Sequence, residues 1–172
     1  MTAEMIEQVS VVIIVKNGAA TLHETLSSLA SFKEVILYDT GSTDKSLNIA
    51  GNFSNIVVHH GEFIGFGETK QLAVQCASND WVLSLDADES ATPELVGYLR
   101  RWDVTQPETV AGIMPRYNFL MGKRVKYGGW GGDRLVRLFN RKAHNFNDNA
   151  VHESIALGHS SKIVNIPHAI HR

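Results

Sequence analysis

The sequence lacks the features that define several protein classes. It has one cysteine, Cys76, in 172 residues, which excludes an internal disulfide framework and suits a reducing compartment. Its longest apolar run, residues 11–15, is far too short to span a bilayer. The first eight residues carry Glu4 and Glu7 and no basic stretch, unlike a secretory leader. Net charge is −2 with histidine neutral, so no global basic field favours nucleic acid. There is no repeat, low-complexity tract or long linker. One local basic cluster stands out (Lys123, Arg124, Lys126, Arg134, Arg137, Arg141 and Lys142), and it reads equally well as a solvated face or an anion site.

What is present suits one globular domain: 44% apolar and 20% charged residues over a length able to bury a sizeable core. Residues 9–15 form a β-branched run that predicts a strand buried on both faces. Leu22, Leu26 and Leu29 make a helical stripe behind it, with Thr21 and Glu24 spaced as a capping box. Further strands are expected over 34–38, 55–59 and 81–85, and helices up to Ala50, over 68–77, and from Pro93 behind a Thr92 N-cap. Cys76, in helical register with Leu72 and Ala73, is expected to be buried, and Trp81 and Tyr38 to pack in the core. Alternating strands and helices imply an α/β fold, a mostly parallel sheet with helices on both faces. From Val110 the texture turns to glycine, aromatic and basic residues, which predicts short mixed or antiparallel strands. The chain divides into residues 1–109 and an acceptor-side half, 110–172, of the same domain.

In such sheets ligands gather beyond the carboxyl ends of the strands. There, "VLSLDADES" carries an apolar strand straight into Asp86, Asp88 and Glu89. Asp86-Ala87-Asp88 is a D-x-D: two close carboxylates repel, and a hard divalent cation relieves the repulsion while gripping phosphate oxygens. The alternative is a solvated strand end ahead of a helix cap. Asp39, opening "DTGSTD", is placed either to accept hydrogen bonds from a nucleoside or merely to shape a turn. Lys16-Asn17-Gly18 follows the first strand and faces the same edge. "GFGETK" (65–70) reads as a flexible loop delivering Lys70, toward phosphate.

Three stretches in order, "SVVIIVKNGAATLHETLSSL", "EVILYDTGSTD" and "DWVLSLDADES", resemble the family 2 glycosyltransferases of GT-A fold. The later "YGGWGGDRLVRLFNR" and "VHE" are similar to the bacterial lipopolysaccharide-core glucosyltransferase group, whose members add glucose to inner-core heptose. The resemblance implies an inverting transfer of a hexose, glucose by preference, from a nucleotide-diphosphate sugar such as UDP-glucose to a saccharide acceptor, helped by Mn²⁺ or Mg²⁺. It places the donor against Val15, Lys16, Asn17, Asp39, Lys70, Asp86, Ala87 and Asp88. Asp88 would hold the metal directly and Asp86 would touch ribose or reach the metal through water. Asp133 and Glu153 are the candidate bases. Asp133 is preferred because its neighbour Trp130 suits sugar stacking, and His152 joins Trp130 on the acceptor side. His168 is a candidate third ligand to metal or phosphate.

The chain departs from the pattern in two places. Asp39-Thr40 stands where many relatives carry two acidic residues. The chain also reaches only "IPHAIHR", where relatives continue into further helices, so a cytoplasmic protein with peripheral inner-membrane contact would make that contact through a region beyond Arg172. Two rivals accompany this reading: a sugar-nucleotide-binding domain without turnover, and a nucleotidyltransferase. The second would want a basic, glycine-rich loop after the first strand, where "KNGAAT" stands.

Overall fold

The computed structural model describes residues 4–128, 133–149 and 153–172. Its first half is a parallel sheet. Strands β1 (Val9–Val15), β2 (Val35–Asp39), β3 (Ile56–His60) and β4 (Trp81–Asp86) lie in the order β3-β2-β1-β4. Helices α1 (Ala19–Ser27), α2 (Ser46–Ala50) and α3 (Phe66–Gln75) connect them, and α4 (Pro93–Arg100) follows the two-residue strand β5 (Ser90–Ala91).

Side chains of a strand alternate between faces, and β1 shows why its sequence must be apolar throughout. Val11, Ile13 and Val15 pack with Leu22 and Leu26 of α1 and with Leu95 and Leu99 of α4. Val12 points the other way, into Ala73 and Val74 of α3. Helices therefore cover both faces, as expected. Trp81 and Tyr38 are buried, the former edge-on to Trp102 with ring centroids 5.3 Å apart.

Three local expectations are corrected. Thr21 and Glu24 form no capping box: α1 begins at Ala19 behind Gly18 with no side-chain cap. The third helix begins at Phe66, so Lys70 sits on a helix and not on a flexible loop. Its Gly67 is demanded by packing, because a Cβ there would lie 2.0 Å from the Asn147 carbonyl oxygen. Cys76 caps that helix half-buried rather than buried, and partial burial pushes its thiol pKa up. The Thr92 cap is as expected, its Oγ1 accepting from the Leu95 N–H at 3.3 Å.

The second half contributes β6 (Val110–Tyr117), β7 (Phe119–Leu120), β8 (Lys123–Arg124), β9 (Asp133–Asn140), β10 (Lys162–Asn165) and β11 (Ile170–His171). Strand β9 inserts antiparallel between β4 and β6, which makes the sheet continuous. Strands β10 and β11 run parallel to β6, and β11 closes antiparallel on β5. Among the described residues these form one nine-stranded sheet, while β7 and β8 form a separate hairpin. Mixed pairing in this half is what the change of texture predicts. No described helix is long and apolar enough to cross a membrane.

Candidate functional site

A cleft of about 430 Å³ opens where the carboxyl ends of β1 and β4 meet. Val15, Lys16, Lys70, Asp86, Ala87 and Asp88 all line it, and so does Glu153.

Its floor is the turn after β4. The Ala87 carbonyl accepts hydrogen bonds from Thr21 Oγ1 at 2.9 Å and Thr25 Oγ1 at 3.0 Å, so α1 holds the D-x-D in place. Thr21 thus serves the site instead of the helix end. Glu89 is fully buried, and its Oε1 accepts from the Asp86 backbone N–H at 2.8 Å. The same carboxylate receives Arg137 at 2.7 Å and Arg116 at 3.0 Å. Both arginines come from the strands that arrive later, β9 and β6.

Lys70, buried on α3, places Nζ 2.8 Å from Asp86 Oδ1 and 2.5 Å from Glu153 Oε1. The other Asp86 oxygen faces Arg137 at 3.6 Å. Burial alone would raise the Asp86 pKa, but Arg137, Lys70 and Arg116 outweigh it and lower the pKa to about 2. Asp86 is therefore a carboxylate at neutral pH. Arg137 stays charged for the reciprocal reason: burial opposes its charge, and Glu89 and Asp86 more than restore it. One ionic chain now runs Asp133–Arg116–Glu89–Arg137–Asp86–Lys70–Glu153.

Asp88 stands apart from that chain. Its side chain is 41% exposed at the cleft edge, with Arg172 Nε 3.1 Å from Oδ2. Among the described residues no group of three or more His, Cys, Asp or Glu is placed to hold a metal ion. The donor set still fits a hard cation of the kind that takes one carboxylate and completes its shell with water and phosphate oxygens. Asp88 has an accessible oxygen for that purpose, whereas both Asp86 oxygens already face cations. His168 does not line the cleft. Its ring packs tilted against that of Tyr98 of α4, centroids 5.6 Å apart.

Two other candidates have their polar groups turned elsewhere. Asn17, at φ 54°, accepts at Oδ1 from the N–H groups of Thr43 (2.7 Å) and Asp44 (3.2 Å), stapling the loop after β2 to the start of α1. Asp39 is 3% exposed, and its carboxylate accepts from the N–H groups of Gly41 at 3.1 Å and Ser42 at 3.2 Å. Burial works to raise its pKa, but these bonds and His60 at 3.5 Å lower it.

The two candidate bases are separated. Glu153 reaches the cleft. Asp133 does not line it, and its Oδ2 lies 2.6 Å from Arg116 Nη2. Trp130 and His152 lie outside the described residues. Sequence reasoning missed Arg116 and the role of Glu89. The signal available for Arg116 was a charged residue inside an otherwise strand-like stretch, whereas Glu89 had none beyond being one more acid beside the D-x-D.

Sequence comparison matches the glycosyl transferase family 2 model to residues 10–156. A glycosyltransferase of Rickettsia bellii, described as uncharacterized, is 35% identical over 96 residues, 55% of this chain and 32% of that protein. The lipopolysaccharide core biosynthesis glycosyltransferase LpsC of Rhizobium meliloti is 26% identical over 151 residues, 85% of this chain and 56% of LpsC. This chain thus spans about a third of the first relative and just over half of the second. Among solved structures, S. aureus TarS 1–349 in complex with UDP superposes with a TM-score of 0.54 at 23% identity, covering 67% of this chain and 37% of TarS. That likeness is one of fold, and the fold is GT-A. With a curled α/β sheet, a D-x-D at the end of β4 and a family model covering most of its length, the chain belongs to glycosyl transferase family 2.

Proposed function

We propose that the chain binds a nucleotide-diphosphate sugar in the cleft and transfers its hexose, with inversion, to a saccharide acceptor. The donor is a UDP-sugar, UDP-glucose first. The acceptor is a cell-surface glycan such as lipopolysaccharide inner-core heptose, a class supported by the likeness to LpsC. The observation that carries this reading is the convergence of Asp86, Asp88, Lys70 and Glu153 on one cleft at the carboxyl ends of two parallel strands.

Residues 1–109 hold the donor and residues 110–172 supply the acceptor side. Val15, Lys16 and Ala87 border the donor, Asn17 keeps the adjoining loop in place, and Asp39 reads the nucleoside from the end of β2. Asp88 would hold Mn²⁺ or Mg²⁺, which when bound neutralises charge developing on the departing diphosphate. Asp86, fixed by Lys70 and Arg137, faces the ribose or a water. Glu153 is the base. It takes the proton of the acceptor hydroxyl as that oxygen bonds to the anomeric carbon and the bond to the diphosphate breaks. Trp130 and His152 contact the acceptor, and the reaction takes place in the cytoplasm.

The test is incubation with UDP-glucose and a heptose-containing acceptor, following UDP release and the mass of the product. Donor that binds but is never cleaved sinks the transferase reading.

Two variants test the donor side. Asp88→Ala removes only an exposed ion pair, of the kind that contributes little to stability, so the fold should persist. Its affinity for UDP-glucose in Mn²⁺ should fall to the level measured in EDTA. Equal affinity of wild type and variant by calorimetry removes the metal role. Asp39→Ala should weaken UDP and UDP-glucose alike, because it deletes contact made equally in ground and transition states. Unchanged UDP affinity beside a lowered melting temperature leaves Asp39 as the keeper of its turn.

A further inference from the structure

The basic cluster of the sequence separates in four directions, with Arg134 exposed on β9. Arg137 is buried against Glu89, and Arg141 and Lys142 pair with Asp80. Lys123, Arg124 and Lys126 remain on or beside the β7–β8 hairpin, all exposed, and among the described residues none makes an ion pair. No acidic residue occurs between Tyr117 and Tyr127.

The hairpin is rooted firmly. Phe119 N–H donates to the Arg172 carbonyl at 2.9 Å, Val125 N–H to the Asn118 carbonyl at 2.9 Å, and the Phe119 ring lies 4.7 Å from that of His171. Arg124 is stacked 3.4 Å over the Tyr117 ring. Its tip is the reverse of a folded core. Leu120 is 68% exposed and Met121 is 96% exposed. Met121 and Gly122 both have positive φ, 51° and 77°, as in a type I′ hairpin. Glycine or asparagine suits both places, and methionine at φ 51° carries strain. A large apolar side chain held almost wholly exposed at a strained turn buries too little to have a folding reason. Tyr127, 87% exposed, adds an aromatic ring beside the basic residues.

We propose that this hairpin docks the protein on an anionic lipid surface, with Leu120 and Met121 entering the headgroup boundary and Lys123, Arg124 and Lys126 resting on the lipid charges. The pattern is that of interfacial anchors: apolar tip, basic flank, aromatic neighbour. Lipid is favoured over a soluble polyanion because charge alone would leave the apolar tip without a role. Phe119 and Gly122 also line a second cavity of about 410 Å³ that shares Thr21, Asp88 and Arg172 with the cleft. The docked surface therefore lies at the mouth of the site, whatever its substrate.

Sedimentation of the full chain with vesicles tests this. Wild type should pellet with phosphatidylglycerol-containing vesicles and not with pure phosphatidylcholine, and salt should weaken it. Lys123→Glu with Lys126→Glu should lose at least about 25-fold in partitioning, from roughly fivefold per surface charge. Leu120→Ser with Met121→Ser, which keeps every charge, should also lose several-fold. Thermal melts matching wild type show that both variants fold. No binding by wild type overturns the proposal, as does unchanged binding by the charge variant. If the serine variant binds like wild type while heparin competes, the surface belongs to a soluble anionic polymer and the proposal fails.

Discussion

Glu153→Gln is expected to lower kcat by about 10²-fold or more, the range for removal of a general base, with UDP-glucose affinity kept within a small factor. Glutamine preserves size and a hydrogen-bond acceptor for Lys70 but cannot take the acceptor proton at neutral pH. Asp133→Asn should retain near-normal kcat, because Asp133 faces Arg116 and does not line the cleft. Steady-state kinetics on both variants, with the donor Kd measured separately, decides between them. If Asp133→Asn is the inactive variant, Asp133 is the base and the cleft must close around it in the acceptor complex. If both stay active, neither carboxylate takes the proton. A Glu153→Gln protein that loses donor affinity instead of kcat would place Glu153 in donor binding through Lys70.

Asp133 is the preferred base on sequence grounds, and the difference is instructive. That preference rests on Trp130, a neighbour in sequence. Glu153 reaches the cleft through long-range folding. The segment after β9 turns back on α3, where Gln71 Nε2 donates to the Phe146 carbonyl at 2.6 Å and Gly67 N–H to the Asn149 carbonyl at 3.0 Å. A bridge between Phe146 and Ile155 then presents Glu153 to Lys70. None of this has a local signature. The parallel half was legible because β1, β2 and β4 are buried on two faces and must be apolar almost throughout, a constraint carried by consecutive residues. The D-x-D was legible for the same reason, standing where such a run stops. Boundaries were less so: α3 starts two residues earlier, at Phe66, and its Gly67 leaves room for the carbonyls of Asn147 and Asn149.

The same limit applies to Glu89, which in sequence is a third acid in a row and in the structure is the residue around which the site is built. Glu89→Ala is expected to cost about 3–5 kcal/mol, because it leaves Arg137 buried without its main partner. For a chain of this size that is a fall in melting temperature on the order of 10 °C. Denaturant titration measures it, and a loss below about 1 kcal/mol would show that Arg137 finds compensation in Asp86. A second consequence separates Glu89 from an ordinary core residue. Its Oε1 holds the Asp86 N–H, so its removal frees the start of the D-x-D turn. Donor affinity in Mn²⁺ should then fall in the folded variant, measured well below its melting temperature. Replacing Glu89 and Arg137 together by methionine should recover much of the stability, since no buried charge of that pair is left alone. It should not recover donor affinity, because methionine returns no acceptor to the Asp86 N–H and Asp86 has lost Arg137. Recovery of both would mean that the network only fills space. Stability without binding is the outcome expected of a buried carboxylate that holds the strand end in shape for its ligand.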